Sequence, residues 1–417
     1  MATIAKCVLE EEEKYAGSVA NGKPSRVILP PQVTVDQFVS NNMPWEIEPT
    51  PHLSSCDVRD GFELSIAPMM KVTDYHYHFL MRQFTRRTRL YTEMIVDDTI
   101  LYQLQNLRQF LGYNRSTHPL TVQLGGNDPG KLAKVAAICE EWGFEEIDLN
   151  VGCPSSRVSG RCFGARLMLH PEVVRDCCAA MRAAVRIPVT VKCRLGADDV
   201  DTYEDLANFI NVVNDSGVKH YIIHARKCIL DGLSTHENRT IPPLMYDRVY
   251  RIAEDFPEND FSINGGILTL ADALGHRVPL AADAAGGAWG VGDRKTKLRG
   301  VMIGRGAWHN PWAFADADRV IYGGKNPGLS RRQAIENYLE YGEHYITHVA
   351  PASEKNPTQR LLRPLTYLFT GVPGGKQWRH RLNQSSNIKK LGEFRLIVED
   401  ALQLIPDKVL DETFPVV

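Results

Sequence analysis

The chain has no G-x-G-x-x-G run and no Walker A sequence, so neither a Rossmann dinucleotide domain nor a P-loop is implied. It also has no C-x-x-C pair. Its nine cysteines are odd in number and scattered, which speaks against a zinc ribbon or a disulfide scaffold and for reduced thiols inside a cell. No uninterrupted apolar run approaches the ~18 residues of a membrane-spanning helix. An acidic run, Glu10 to Glu13, stands where a secretory signal would need apolar residues, and acids also weigh against a transit peptide. Net charge is nearly lacking too: 48 Lys and Arg against 50 Asp and Glu leave −2, which excludes a uniformly basic nucleic-acid binder but not a local basic face. The expectation is a monomeric protein with no membrane and no metal, cytoplasmic, with an organelle left open.

What is present fits a soluble globular protein. Of 417 residues, 43% are hydrophobic and 24% charged, enough to bury a large core. Residues 1–60 carry loop-forming pieces such as Gly22-Lys23-Pro24 and read as an extension. Short β-rich runs then recur at Glu63 to Ala67, Leu90 to Met94, Leu120 to Leu124, Glu146 to Asn150, Pro188 to Cys193, Tyr221 to His224, Phe261 to Asn264 and Val301 to Gly304. Helical patterns separate them, as at Pro129 to Glu141, Pro171 to Ala184 and Thr202 to Ser216. Eight such units over roughly 260 residues predict an α/β fold, a (β/α)8 TIM barrel over 61–328, with a doubly wound sheet as the competitor. A glycine-rich then basic stretch at about 277–299 reads as an insertion before the eighth strand. From Ser330, a plausible N-cap, the strands stop. Helices are expected through His348, then over Pro357 to Thr370, Lys376 to Gln384 and Ile388 to Leu404, making a C-terminal α-helical domain over 329–405 and a tail over 406–417.

A barrel presents its reactive groups at the C-terminal ends of its strands. Those ends read Ala67-Pro68-Met69, Glu93, Gln123-Leu124-Gly125-Gly126, Asn150 to Ser155, Lys192-Cys193-Arg194, His224 to Lys227, Asn264-Gly265-Gly266 and Gly304-Arg305-Gly306. Almost all carry a polar side chain or glycine. The glycine turns after strands seven and eight fall where barrels often hold a phosphate, and Arg305 adds a suitable cation, although glycine serves a plain tight turn equally well. Lys192 suits a Schiff base, an anionic ring system or an ordinary loop. His224 reads equally as a ligand group or as a satisfied buried histidine. Cys153 sits on a turn between Gly152 and Pro154. A free cysteine is commonly a small buried hydrophobe, but a thiol at a barrel mouth is mostly protonated at neutral pH and can act as a general acid. Cys162, Cys177, Cys178 and Cys193 lack that setting.

Between Arg360 and Arg395 stand Arg360, Arg363, Lys376, Arg379, Arg381, Lys389, Lys390 and Arg395 against the single acid Glu393, with Tyr367, Phe369 and Trp378 interleaved. This excess reads either as a polyanion surface or as solvated helix faces. Lys376 and Arg379 are three residues apart and share a helix face, while Trp378 between them turns inward as packing.

Together the strand-end motifs, with Tyr91-Thr92-Glu93-Met94 and Val191-Lys192, resemble the tRNA-dihydrouridine synthases. The stretches Pro119 to Gln123, Glu237-Asn238-Arg239, Pro242-Pro243-Leu244 and Gly371 to Arg379 are similar to the A subfamily. The resemblance runs from about residue 61 to 395. It implies FMN in the barrel, NADPH as its reductant, a helical tRNA-binding domain, and reduction of uridine to 5,6-dihydrouridine at positions 20 and 20a of the tRNA D-loop. By that resemblance Ala67, Pro68, Met69, Gln123, Lys192, His224, Asn264, Gly265, Gly266, Gly304 and Arg305 bind FMN. Cys153 is the catalytic proton donor, protonating C5 while hydride reaches C6. Asn150, His236, Arg239, Lys376 and Arg379 face tRNA, with His236 standing where the family usually has lysine. A small-molecule FMN reductase of dihydroorotate-dehydrogenase or ene-reductase type would not need the basic helices. A tRNA-binding protein without redox activity would not need Cys153 together with the flavin-type strand ends.

Overall fold

The computed structural model describes residues 61–155, 163–277, 298–350, 354, 356–385 and 393–416. The expectations for residues 1–60, for Lys389 and Lys390, and for nearly all of the 277–299 stretch lie outside them. Eight parallel strands close into a barrel in sequence order: β1 (Glu63–Ile66), β2 (Arg89–Val96), β3 (Leu120–Gly125), β4 (Glu146–Asn150), β5 (Val189–Arg194), β6 (His220–His224), β7 (Asp260–Asn264) and β8 (Gly300–Ile303). β1 pairs with both β2 and β8, which excludes the open doubly wound sheet. The seam demands a glycine at one place. A Cβ on Gly300 would lie 2.1 Å from the Glu63 carbonyl oxygen, so no larger residue fits opposite β1.

Helices clothe the barrel. α1 (Tyr75–Phe84) follows β1, α2 (Pro129–Trp142) β3, α3 (Pro171–Ala184) β4, α4 (Tyr203–Asn214) β5, α5 (Tyr246–Asp255) β6, α6 (Leu270–Gly275) β7 and α7 (Arg305–His309) β8. Their ends follow local chemistry. Asp128 accepts the Lys131 amide ahead of Pro129, and Gly143 ends α2 in the left-handed conformation. Thr202 and Asp205 form a reciprocal capping box at α4.

One strand differs from its expected bounds. β2 runs on to Val96 and shifts register between Tyr91 and Met94, so Glu93 lies at an irregularity within the strand rather than at its end. There its carboxylate accepts the Lys71 amide.

Beyond the barrel lie α8 (Arg331–His344), α9 (Pro357–Leu365), α10 (Gly375–Ser385) and α11 (Phe394–Leu402). Ser330 and Gln333 form the capping box of α8. Its last turn widens into a π-type turn over Tyr345–Val349 in place of the expected run of α-helix to His348. α9 stops at Leu365, five residues before the expected Thr370, just after a proline inside the helix at Pro364. These helices dock on α1: Phe79 stacks on Tyr341 with centroids 4.0 Å apart, and Tyr75 and Tyr345 share a 2.6 Å hydroxyl contact. The tail folds back as well, since the Asn326 amide nitrogens donate to the carbonyls of Val416 and Pro415.

Candidate active site

β4 ends at Asn150 and the chain turns through Cys153. Asn150 holds this turn from below: its Oδ1 accepts the amides of Gly152 at 3.2 Å and Cys153 at 2.9 Å. From the side, Arg194 Nε donates to the Gly152 carbonyl at 2.9 Å, and the Ala165 amide donates to the Cys153 carbonyl at 3.0 Å. Cys153 is half-buried and free, whereas Cys139, Cys177, Cys178, Cys193 and Cys228 are buried. Lys192, Arg194 and Arg239 lie within electrostatic reach of it.

Strand alternation builds the floor beneath it. Gln123, Asp148 and Thr190 stand side by side in register on β3, β4 and β5, and Asn150 and Lys192 stand side by side one layer above. Gln123 Nε2 donates to Asp148 at 2.7 Å, and Gln123 Oε1 accepts from Asn150 at 2.8 Å. Burial draws the Lys192 pKa down and pushes the Asp148 pKa up, and the opposite charge of each partner resists both shifts.

The corner between β6 and β8 has a different character. Gly265 and Gly266 take left-handed φ values of +104° and +73°. A Cβ on Gly265 would come 3.2 Å from the His224 ring, and one on Gly266 would come 2.5 Å from Leu244. Only glycine gives this cradle. Asn264 Nδ2 donates to the Met302 carbonyl at 2.7 Å and ties β7 to β8. Gly304 lies with Ala67 and Met69 nearby, and Pro68 is half-buried between them in the chain. Burial, then Arg194, Lys192, Arg226 and Arg239, hold the His224 pKa far below its ordinary range, so the imidazole is neutral. Its buried Nδ1 has no hydrogen-bond partner among the described residues. An orphaned ring nitrogen, two left-handed glycines of which Gly266 is exposed, and several cations gather at one corner, and these residues fit a phosphate group such as that of a flavin.

From this corner a strip of cations leads away. Arg305 Nη2 reaches the Arg239 carbonyl at 3.4 Å. Burial, then Arg305 and Arg379, lower the His309 pKa, so both guanidiniums lie near that ring. Arg379 lies over the Tyr367 ring at 5.3 Å, and Lys376 is exposed one turn earlier on α10. His236 is exposed beside the short Glu237–Arg239 turn. Trp378 is fully buried and donates to the Leu365 carbonyl at 2.9 Å, the packing role expected of it.

The basic segment carries less free charge than its sequence suggests. Arg360 pairs with Asp74 at 3.5 Å and Glu354 at 2.9 Å, Arg381 with Asp400 at 2.5 Å, and Arg395 with Glu336 and Glu343 at 2.7 and 2.8 Å. Acids from other elements neutralise these three, so the local surplus is smaller than the segment suggests. Lys376 and Arg379 remain without a carboxylate among the described residues.

A cleft of 810 Å³ opens on the other flank, lined by Asp97, Asp98, Asp128, Lys131, Tyr102 and Phe163. Three carboxylates against one lysine make it a poor place for phosphate. Two residues carry no role in the sequence reading, Asp148 beneath the mouth and Arg194 at it. The signal was available in the alternation: Glu146, Asp148 and Asn150 on β4, and Thr190, Lys192 and Arg194 on β5, each occupy one face of a strand.

Comparison with known proteins adds to this geometry. Residues 65–405 match the family model for dihydrouridine synthase. A tRNA-dihydrouridine(20/20a) synthase of Synechocystis sp. is 42% identical over 329 residues, covering 79% of this chain and 91% of the relative. The enzyme of that name from Shigella flexneri is 41% identical over 353 residues, covering 84% and 96%. That of Escherichia coli K12 is 41% identical, covering 84% and 94%.

Proposed function

Because this chain belongs to the dihydrouridine synthase family and is thus an oxidoreductase, we propose that it reduces uridine to 5,6-dihydrouridine at positions 20 and 20a of tRNA, the sites named in its relatives, with FMN at the barrel mouth and NADPH as reductant. The observation that carries this reading is the meeting, at one mouth, of a half-buried thiol, a glycine cradle with an orphaned histidine, and a cation strip leading onto the C-terminal helices. Residues 61–328 form the flavin barrel, residues 329–405 the tRNA-binding helices and 406–417 the tail, and the protein acts as a cytoplasmic monomer.

In this reading Gly265, Gly266, Gly304 and Arg305 hold the phosphate through backbone amides and a guanidinium. Asn264 fixes the strand pair beneath, and His224 offers its free Nδ1. Ala67, Pro68, Met69 and Gln123 wall the ring, and Lys192 lies beside it. When bound, the flavin supplies hydride to C6 of the uracil. Cys153 delivers its thiol proton to C5, held in place by the Asn150 and Arg194 contacts to its turn. A stacked base cannot reach this depth, so the target uridine turns out of its loop into the mouth, where buried Asn150 meets it. His236, Arg239, Lys376 and Arg379 then face phosphates along the tRNA backbone.

The test is direct. Purified protein should carry a flavin absorption band close to stoichiometric with polypeptide. With NADPH and an unmodified tRNA transcript it should form dihydrouridine that mass mapping places at positions 20 and 20a. Flavin without tRNA reduction, but with turnover of small unsaturated substrates, would replace this reading by the small-molecule reductase. Neither flavin nor product would end it.

A further inference from the structure

Asp148 lies at the middle of the barrel and is fully buried. Its two oxygens take separate donors. Thr190 Oγ1 donates to Oδ1 at 3.0 Å, and Gln123 Nε2 donates to Oδ2 at 2.7 Å. From Gln123 the bonding continues outward, because Asn150 Nδ2 donates to Gln123 Oε1 at 2.8 Å. Asn150 Oδ1 in turn accepts the amides of Gly152 and Cys153. A single hydrogen-bonded chain therefore links a carboxylate in the barrel interior to the backbone of the cysteine.

The ends of a primary amide have nearly the same shape, so its direction is set only by what it meets. Here both ends of the chain dictate it. Backbone N–H groups only donate, so Asn150 must turn its oxygen to the Cys153 turn and its nitrogen to Gln123. Above the raised Asp148 pKa of about 7 its carboxylate is ionised and only accepts, so Gln123 must turn its nitrogen to Asp148 and its oxygen to Asn150, as the two contacts show. The two demands meet at the Gln123–Asn150 contact and agree. Burial raises the Asp148 pKa, and the Gln123 hydrogen bond and the charge of Lys192, in register beside Asn150, offset part of that rise.

We propose that Asp148 is a positioning residue, which fixes the direction of the Gln123 and Asn150 amides and thereby holds the Cys153 turn in one conformation. It touches neither substrate nor cofactor. Its relevance to catalysis rests on the reading of Cys153 as proton donor, but its effect on the turn does not.

Asp148→Asn keeps the shape and removes the demand, since an amide there can face Gln123 with either end. The readout is alkylation of Cys153 by iodoacetamide in the purified protein, followed peptide by peptide so that the buried cysteines do not interfere. The single variant should label Cys153 about fivefold faster, as expected for loosening by one hydrogen bond. Adding Gln123→Glu moves the carboxylate one step outward, where it accepts both from the amide introduced at position 148 and from Asn150. That double variant should label within about twofold of the parent, because the outer half of the chain regains its direction. A residue that merely stabilises the barrel would lower the melting temperature in both variants and show no such rescue. Unchanged labelling in the single variant, or fast labelling in the folded double variant, would overturn the proposal. If Asp148→Asn does not fold alone, the double variant decides by itself. Neither tRNA nor NADPH enters the measurement, so failure of the proton-donor reading would appear elsewhere, as undiminished dihydrouridine formation by Cys153→Ala.

Discussion

The two ends of the barrel are both polar, yet they are built on opposite plans. At the N-terminal ends of the strands charges meet opposite charges or hydroxyl donors: Arg89 meets Glu63 at 3.0 Å, Arg299 meets Asp260 at 2.8 Å, and Glu146 accepts from Thr121 at 3.0 Å and Tyr91 at 3.3 Å. Burial pushes the Glu63 pKa up, but Arg89, His220 and Arg299 outweigh it and hold that carboxyl below its ordinary range. At the C-terminal ends Arg194, Arg226, Arg239 and Arg305 meet no carboxylate among the described residues, and the donors of Arg194, Arg226 and Arg305 go to backbone carbonyls. Polar strand ends therefore do not mark a site by themselves. Charge left uncompensated does, because a fold has no reason of its own to gather cations without partners.

The contrast can be broken most sharply at Cys153. Replacement by Ala should lower dihydrouridine formation about 10²–10⁴-fold, the usual worth of a general acid, with flavin content and tRNA affinity retained. Single-turnover rates and an absorption spectrum on the same sample check this. At the other end Glu63→Gln removes the ion-pair partner of Arg89, leaving it Glu146 nearby and the Thr121 hydroxyl. It should cost about 3–5 kcal/mol in a urea titration and leave the rate per folded molecule unchanged.

How far these expectations could be drawn from sequence differs between the ends. The strands were legible because each is a short apolar run closed by a turn, and α3 begins and ends at its expected residues, Pro171 and Ala184. The mouth was legible because its residues cluster just after those runs. Compensation was not legible, since it comes from far along the chain: Asp74 reaches Arg360 across 286 residues, and Glu336 reaches Arg395 across 59. Asp148 was hidden for a related reason. It sits two residues before a strand end, so its importance appears only when β3 and β5 are placed beside it.

Smaller effects sharpen the comparison further. Changing both Lys376 and Arg379 to Ala should weaken tRNA binding and flatten its dependence on salt by about two units of log–log slope, with NADPH-driven flavin reduction preserved. Affinity measured over a salt series checks it, and an unchanged slope would place the RNA elsewhere. Arg305→Ala should move the stability least, by no more than about 0.5 kcal/mol in either direction, since no ion pair is lost. It should nevertheless purify with less flavin than the parent, which the ratio of visible to ultraviolet absorbance would reveal.

Closure of the barrel has a consequence for synthesis on the ribosome. Ser65 of β1 donates its hydroxyl to Val301 of β8, a partner 236 residues later. Until β8 has emerged, β1 and β7 each present an open edge of unpaired amides and carbonyls, ready to pair with another chain. The nascent polypeptide must carry those edges through most of its elongation, past the long stretch between β7 and β8. Premature stops anywhere between Asn264 and Gly300 would leave a chain with all the strands of the mouth's cysteine turn and no seam to close them, and such fragments should be cleared or aggregate rather than persist as a smaller enzyme.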